Sequence, residues 1–310
     1  MATRELRSSP RILPLYVRAA APVVPGASLL PFVGGGGGEI PDIELVLRHA
    51  SVEPARLADY AQVCGFSSPG ETLPATAPHL LAFPLHLALM ADPGFPFGAI
   101  GLVHIANEIT QHRPIAVHEP LDLRVSASAL AEHPRGLSFS LISQARAGGV
   151  LVWEERSTML RRGSARAGGD RSVRDGSAAE SPVSALVEQE WALPGDLGRR
   201  YGAVSGDRNP IHMHSLTAKP LGFPSAIAHG MWTKARCLAA LERRLPDAFT
   251  VSVRFRAPIA LPSRVSFASA ADGEAIDFDV RGSLRDTTHL QGRVEPLSGP
   301  ADTNERSQTR

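Results

Sequence analysis

The chain has 310 residues, about twice a common domain size, so two domains or one duplicated unit is expected. Hydrophobic residues make up 43% and charged residues 20%, which is typical of a soluble globular protein with a packed core. The formal net charge of +1 excludes a strongly basic nucleic-acid binder and indicates no attraction to an anionic membrane surface.

In the first half, we predict a mobile end over residues 1–12, a short strand over residues 13–18 and a flexible connector that ends in a run of glycines. The glycine run lacks the Lys-Ser/Thr of a phosphate-binding loop, and no helical pattern follows it. Pro54 begins a short helix, and a second, apolar helix over residues 79–90 contains the helix-breaking Pro84. Alternation and β-branched residues predict strands over residues 43–48, 100–111, 114–128, 137–145 and 150–160.

The second half contains one long helix, predicted over residues 228–245 with Ser225 as its N-cap. A shorter helix over residues 195–204 precedes it, and the long irregular span between them, residues 209–226, favours a functional loop. Strands are predicted over residues 190–193, 249–256, 263–270, 275–284 and 288–295.

Composition sets the predicted boundaries. An N-terminal unit covers residues 1–165, a linker poor in apolar residues covers 166–182, a C-terminal unit covers 183–298 and a disordered tail covers 299–310. In each unit a long helix is followed by strands, which predicts an α+β fold with an antiparallel sheet wrapped round its helix.

Two short sequence echoes indicate that the units are copies of each other. Residues 113–117 resemble residues 257–261, and the landmarks of a second segment recur in the same order at nearly the same spacing. The matched landmarks are Tyr60 with Tyr201, Val63 with Val204, Gly65 with Gly206, and Pro69 with Pro210.

The duplication predicts which copy carries the chemistry. Where the second copy has Asp207 and His212, the first has Phe66 and Glu71. A phenyl group suits packing or an apolar acyl chain and cannot transfer protons. We therefore predict that the first unit is non-catalytic and shapes the substrate tunnel.

The turn-rich loop that follows the shorter helix presents Asp207 and His212 five positions apart. A carboxylate and an imidazole can share a water molecule and move protons near neutral pH. The unpaired backbone N–H groups at the start of the next helix could bind a developing negative charge. Together these groups could add water to, or remove it from, a carbonyl-activated double bond.

The motif Ser205-Gly-Asp-x-Asn-Pro-Ile-His212, followed by Gly222-Phe223 and Ala228-His-Gly-Met231, resembles the MaoC-like (R)-specific enoyl-thioester hydratases and 3-hydroxyacyl-thioester dehydratases. The resemblance implies a double hotdog fold and reversible hydration of trans-2-enoyl thioesters.

The resemblance also assigns roles to single residues. It implies that Asp207 and His212 hold the reacting water and that the backbone N–H of Gly230 binds the oxyanion. Asn209 and Ser205 are expected to fix the shape of the loop, because short polar side chains bond to nearby backbone. His229, beside the oxyanion donor, is expected to make structural hydrogen bonds.

A metal site formed by His212, His214 and Asp207 is an alternative, since these groups are common ligands. The hydratase chemistry implied by the resemblance needs no metal, so we predict none and no resident cofactor. The expected substrate is an acyl thioester of coenzyme A or acyl carrier protein, without a nucleic-acid partner. Because hotdog units pair, the chain is expected to be a monomeric pseudo-dimer or a homodimer.

Two cysteines, Cys64 and Cys237, are too few for a disulfide framework and favour a reducing compartment. No apolar run near the N-terminus suits a signal peptide or a membrane span, so we predict a cytoplasmic enzyme. Three other functions stay open: a hotdog thioesterase, a non-catalytic acyl-thioester-binding protein, and an obligate subunit whose partner completes the site.

Overall fold

The structure, a computed structural model, describes residues 1–20, 38–67, 70–163, 187–282 and 287–297. The predicted linker and C-terminal tail lie outside these residues, as does nearly all of the glycine run. The predicted unit boundaries therefore stay predictions.

The first half contributes strands and helices that match most of the predicted elements. Its strands are β1 (Ala2–Leu6), β2 (Ile43–Ala50), β3 (Leu102–Gln111), β4 (Leu121–Ala127), β5 (Ala131–His133), β6 (Gly136–Ala147) and β7 (Val150–Arg162). Its helices are α1 (Ile12–Ala20), α2 (Pro54–Cys64) and α3 (Pro78–Met90).

The second half repeats this pattern of a buried helix followed by antiparallel strands. Its strands are β8 (Val187–Leu193), β9 (Phe249–Phe255), β10 (Ser263–Asp272), β11 (Ala275–Gly282) and β12 (Thr288–Pro296). Its helices are α4 (Leu197–Ser205), α5 (Pro210–Met213), α6 (Ser215–Ala218) and α7 (Gly230–Leu241), with 3-10 turns at Lys219–Leu221 and Glu242–Arg244.

All of these strands belong to one 12-stranded sheet, ordered β1-β2-β4-β6-β7-β3-β9-β12-β11-β10-β8, with β5 paired to β6. Outward from the centre, the first half reads β3-β7-β6-β4-β2 and the second half reads β9-β12-β11-β10-β8. Corresponding strands thus occupy corresponding places on either side of the β3–β9 pair, where Thr110 and Thr250 face each other. This pseudo-twofold order confirms the predicted α+β double hotdog.

A matched pair of backbone contacts involves the sequence echo between residues 113–117 and residues 257–261. In the first half the N–H of Leu73 donates to the carbonyl of Ile115, at 2.8 Å. In the second half the N–H of Ala228 donates to the carbonyl of Ile259, at 2.9 Å. The segment leading to each central helix is therefore fixed to the same point after each central strand.

The helix α7 is surrounded by protein. Of the apolar residues predicted along it, Met231, Ala235, Leu238 and Leu241 are buried, whereas Leu245 is partly buried and follows the end of the helix. A helix buried on nearly every side needs a sheet that curves round it, which is the hotdog arrangement. No helix among the described residues is both long and apolar enough to cross a membrane.

Four predictions about local structure are wrong. The span over residues 209–226, predicted to be irregular, contains α5, α6 and a 3-10 turn. The segment predicted as a strand over residues 13–18 belongs to the helix α1, because Pro14 is tolerated in a first helical turn and the apolar residues follow a helical spacing. The predicted mobile end contains β1, which pairs in parallel with β2. The N-cap of α7 is His229, and the Ser225 hydroxyl bonds to the adjacent carbonyl of Ala226.

Candidate active site

The segment from Gly206 to His212, here called the motif loop, lies directly against the helix α4. A Cβ atom at Gly198 would be 2.0 Å from the carbonyl oxygen of His212, and one at Gly202 would be 2.8 Å from that of Asp207. Glycine at both positions lets the loop backbone approach this closely. Gly206 then ends α4 in the left-handed region, at φ 84°, where glycine has no steric penalty.

A side chain from the first half anchors the same region. The guanidinium of Arg56, on α2, donates to the carbonyl oxygens of Val204 at 2.7 Å and Ser205 at 3.2 Å. These carbonyls lie in the last turn of α4, which leaves acceptors without intrahelical partners and carries a partial negative charge. The first half therefore stabilises the start of the loop that carries Asp207.

The Asp207 side chain is held on one oxygen and open on the other. Oδ1 accepts hydrogen bonds from the Tyr16 hydroxyl at 2.7 Å and from the backbone N–H of Asn209 at 3.1 Å. The Asp207 backbone N–H donates to the Ser205 hydroxyl at 3.1 Å. The side chain keeps 26% of its surface exposed, so a small molecule in the cavity can reach it.

The electrostatic surroundings of Asp207 favour the carboxylate. Burial by itself would raise its pKa, but the nearby His229 and His212 rings, with the hydrogen bonds from Tyr16 and Asn209, bring the pKa below its usual value. Asp207 is therefore ionised at neutral pH.

His212 has a tautomer fixed by its backbone partner. Its Nδ1 donates to the carbonyl oxygen of Ile227 at 2.8 Å, so the neutral ring has an unprotonated Nε2. Burial lowers the pKa of His212 below its ordinary value, although the Asp207 carboxylate opposes the shift. The ring is therefore a neutral proton acceptor near pH 7.

His229 lies between the loop and the central helix. Its ring stacks on His212, with centroids 3.7 Å apart, and its Nε2 donates to the backbone oxygen of Asp207 at 2.9 Å. Burial lowers the pKa of His229 to about 3, so it stays neutral. Its contacts support the predicted structural role, since it packs on the His212 ring and bonds to the backbone of Asp207.

These groups converge on a cavity of about 170 Å³ between the two halves. Ligand-capable atoms of Asp207, His212 and His229 all lie within 4.8 Å of one another. Gly230, the first residue of α7, also lines the cavity. A Cβ there would lie 3.0 Å from the Phe255 ring, so close packing requires a small residue at the helix start.

The other predicted site residues differ in their access to the cavity. Asn209 lines it and caps α5 by accepting from the N–H of Ile211, at 3.4 Å. Ser205 is 2% exposed and does not line the cavity; its hydroxyl donates to the Tyr201 carbonyl within α4. Both contacts agree with the expected loop-shaping roles.

The ligand set predicted for the metal alternative differs from the structure in one residue. His214 is exposed, and His229 takes its place beside Asp207 and His212. The Nε2 of His229 carries a proton that it donates to a backbone carbonyl, so the lone pair of this neutral ring is on Nδ1.

The first half lines the cavity through residues that sequence analysis did not select. Phe83, His86 and Met90 on α3 face it, whereas Phe66 packs on Tyr60 and is not part of the lining. The tunnel prediction rested on Phe66 and on the helix that contains Pro84; Phe66 lies outside the cavity lining, and that helix, α3, contributes to it. Phe66 was selected because it aligns with Asp207 of the second half. That alignment does not show which side chains of the neighbouring helix face the cavity.

A buried polar network joins the halves behind the cavity. Glu155 bonds to His79 at 2.9 Å and to the Asn107 amide at 2.7 Å, and the Lys234 ammonium donates to the Asn107 side-chain oxygen. Burial would raise the pKa of Glu155, but His79, His86 and Asn107 lower it to about 2. Burial lowers the pKa of Lys234 to about 7. Lys234 lies within the apolar pattern of α7, and this charged residue in a buried helix was the one feature of the sequence that could have indicated the network.

Tyr16 is another residue that sequence analysis missed. It lies 191 positions from Asp207, in a segment predicted as a strand, and no sequence pattern links the two.

Comparison with known proteins identifies the family. The model of the MaoC like domain matches residues 181–289. The 3-hydroxyacyl-thioester dehydratase X of Mycobacterium tuberculosis is 36% identical over 293 residues, which is 94% of this chain and all of the relative. The chain belongs to the MaoC-like dehydratase family.

Solved structures agree with this membership. The crystal structure of HtdX from Mycobacterium tuberculosis superposes on this MaoC-like chain with a TM-score of 0.71 and 35% identity, covering 82% of this chain and 100% of that one. A double hotdog protein from the same organism, at 14% identity, gives a TM-score of 0.51 over 86% of this chain and 99% of that one, which shows a shared fold. The resemblance stated from the sequence is confirmed.

Proposed function

We propose that the protein is a lyase that interconverts trans-2-enoyl thioesters and (R)-3-hydroxyacyl thioesters by adding or removing water. Membership of the MaoC-like family supports this activity, as does the full-length similarity to a 3-hydroxyacyl-thioester dehydratase.

The observation that carries the proposal is the convergence of Asp207 and His212 on one cavity. Ligand-capable atoms of the two side chains lie within 4.8 Å of each other, and two hydrogen bonds of about 2.8 Å from one water molecule can span that distance. An ionised carboxylate and a neutral imidazole Nε2 both accept, so the water engages both hydrogens. Its lone pair is then directed at a third atom, the substrate C3.

In hydration, the water oxygen forms a bond to C3 while one water proton passes to the acid/base pair. The electron pair of the C2=C3 bond moves towards the thioester and gives an enolate. Asp207 and His212 then deliver a proton to C2, which regenerates the thioester carbonyl. Dehydration is the reverse: the pair removes the C2 proton and protonates the departing C3 hydroxyl.

The enolate oxygen needs a hydrogen-bond donor. Gly230 is the first residue of α7, so its backbone N–H has no intrahelical acceptor, and it carries part of the positive end of the helix dipole. We assign the oxyanion contact to this N–H. Asn209, Ser205 and His229 keep the pair in place.

We assign substrate shaping to the first unit, residues 1–165, and catalysis to the unit over residues 183–298. The cavity wall formed by α3 supports this division, since Phe83 and Met90 present an apolar surface to an acyl chain. The chemistry needs no resident cofactor. Pairing of the halves through β3 and β9 supports a monomeric pseudo-dimer. A cytoplasmic location is part of this proposal.

Hydration of crotonyl-coenzyme A, followed by the loss of enoyl absorbance, tests the proposal. Turnover should produce the (R)-3-hydroxy thioester without free thiol. Release of thiol would instead identify a thioesterase. If no enoyl thioester reacted, a non-catalytic acyl-thioester-binding protein would be the remaining interpretation. Parallel assays with crotonyl-coenzyme A and the crotonyl acyl carrier protein identify the preferred carrier.

A further inference from the structure

The helix α1 of the first half packs on the loop that carries Asp207. Its Ile12 side chain lies so close to Gly206 that a Cβ there would be 2.3 Å from Ile12 Cδ1. Ile12, Leu15 and Tyr16 all pack against the main core. The α1 helix is therefore docked at the point where α4 ends and the proposed catalytic loop begins.

The Tyr16 hydroxyl is inserted into that loop through two hydrogen bonds. It donates to Asp207 Oδ1 at 2.7 Å and accepts from the backbone N–H of Arg208 at 2.9 Å. Burial, together with the adjacent carboxylate, raises the pKa of Tyr16 far above its ordinary value. The hydroxyl therefore keeps its proton, and so remains a donor, at any pH used for assay.

We infer that Tyr16 is a positioning residue for the water-activating carboxylate of Asp207. This inference rests on the proposed function. The terminal torsion of an aspartate is broad, so hydrogen bonds decide the direction of its oxygens. Tyr16 and the Asn209 N–H hold Oδ1, which leaves Oδ2 for the water shared with His212. The N-terminal helix thus completes a site whose reacting groups all belong to the second half.

Other groups around Asp207 do not duplicate this contact. His229 Nε2 is 3.8 Å from Oδ2 and donates to the backbone oxygen instead. The Tyr201 ring packs on His229, with centroids 4.8 Å apart. Among the described residues, Tyr16 supplies the side-chain donor that is within 3 Å of the carboxylate.

The test is Tyr16→Phe, which keeps the packed ring and deletes the hydroxyl. We expect kcat for crotonyl-coenzyme A hydration to fall about tenfold, as for loss of a hydrogen bond to a charged group, with KM within about twofold. The matched control is Tyr60→Phe. The Tyr60 hydroxyl is buried and donates to Thr76 at 2.7 Å, away from the cavity, so its loss should leave kcat unchanged.

A double-mutant cycle with Asp207→Asn separates positioning from a general structural role. If Tyr16 acts through the carboxylate, Tyr16→Phe should lower kcat little further in the Asp207→Asn background. An equal fall in both backgrounds, or wild-type kcat in the single variant, would overturn the inference. Failure of the proposed function looks different, because the unmodified protein would then not hydrate crotonyl-coenzyme A. Failure of the role assigned to Asp207 would appear as hydration left intact by Asp207→Asn alone. Thermal melting of each variant confirms that it is folded.

Discussion

The loops that follow α2 and α4 occupy equivalent places in the two repeats, and only one of them carries a candidate acid/base pair. Both begin at a left-handed glycine, Gly65 at φ 78° and Gly206 at φ 84°. Both helices bury a tyrosine, and the two rings lie 6.2 Å apart near the pseudo-twofold axis. The shared features are those needed to end a helix and fill a core.

The difference between the loops begins in the helices beneath them. In the register that matches Tyr60 with Tyr201, Gly198 and Gly202 of α4 correspond to Leu57 and Ala61 of α2. Both first-half residues are buried, so their side chains occupy space that the second half leaves to loop backbone. Loss of the acid/base pair in the first half therefore accompanies loss of the glycine face on which that pair depends.

The largest expected effect comes from removing the pair itself. Asp207→Asn or His212→Ala should each lower kcat for crotonyl-coenzyme A hydration by about a hundredfold or more, because a general acid or base contributes at least that much. The matched control is Glu71→Gln, at the position of the first loop that corresponds to His212. If Asp207→Asn or His212→Ala kept the unmodified kcat, the changed residue would not be needed for hydration, and the two loops would not differ in function as we expect.

The glycine face gives the next effect. Gly198→Ala places a methyl group where the His212 carbonyl oxygen now lies, so the loop must move, and a shift of about 1 Å can cost about a hundredfold in rate. We expect kcat to fall at least tenfold in a protein that still melts cooperatively. Gly195→Ala, whose Cβ would make an ordinary 3.7 Å contact with Pro262, is the control. Equal rates for the two variants would mean that the loop does not depend on this close approach.

A smaller change should appear in substrate choice. Phe83→Ala removes a ring from the wall that α3 forms and so enlarges the cavity. We expect kcat/KM to shift several-fold in favour of longer enoyl chains, which is the size of effect that one or two methylene contacts produce. Phe66→Ala, outside the cavity lining, should leave the chain-length profile unchanged. A changed profile in Phe66→Ala, with an unchanged profile in Phe83→Ala, would show that the first-half loop and not α3 shapes the substrate tunnel.

The smallest effect concerns stability in acid. Burial lowers the pKa of His86 to about 3 and of His104 to about 4, below the ordinary value near 6.5. The unfolded chain then binds more protons than the folded one below pH 6.5, so the free energy of unfolding falls as the pH drops from 6.5 towards 4. His104→Phe keeps the ring that packs on Phe255 and removes one such group.

Melting temperatures at pH 7.5 and 5.0 measure this effect. The decrease between the two values should be a few degrees smaller in His104→Phe than in the unmodified protein. An exposed-histidine variant, His214→Gln, should show the unmodified decrease. Equal decreases in all three proteins would show that the buried imidazole of His104 does not contribute to acid lability.

The sequence by itself determined the repeated order of elements, the position of the acid/base loop and the family. Each of these depends on residues close together in the chain: turn residues around Gly206, alternation along strands, and an echo of one half in the other. The motif also selected Asp207, His212, His229 and Gly230, which the fold brings to one cavity.

Only the tertiary structure decided which distant groups surround that motif. Tyr16 bonds to Asp207 across 191 positions, Arg56 reaches the end of α4 across 149, and Lys234 reaches Asn107 across 127. The helix α1 was misread because its short apolar run suits a strand or a helix equally well until a neighbouring surface is present. Local pattern determines how a segment can bury its apolar side chains, whereas the packing of whole elements determines which polar groups then meet.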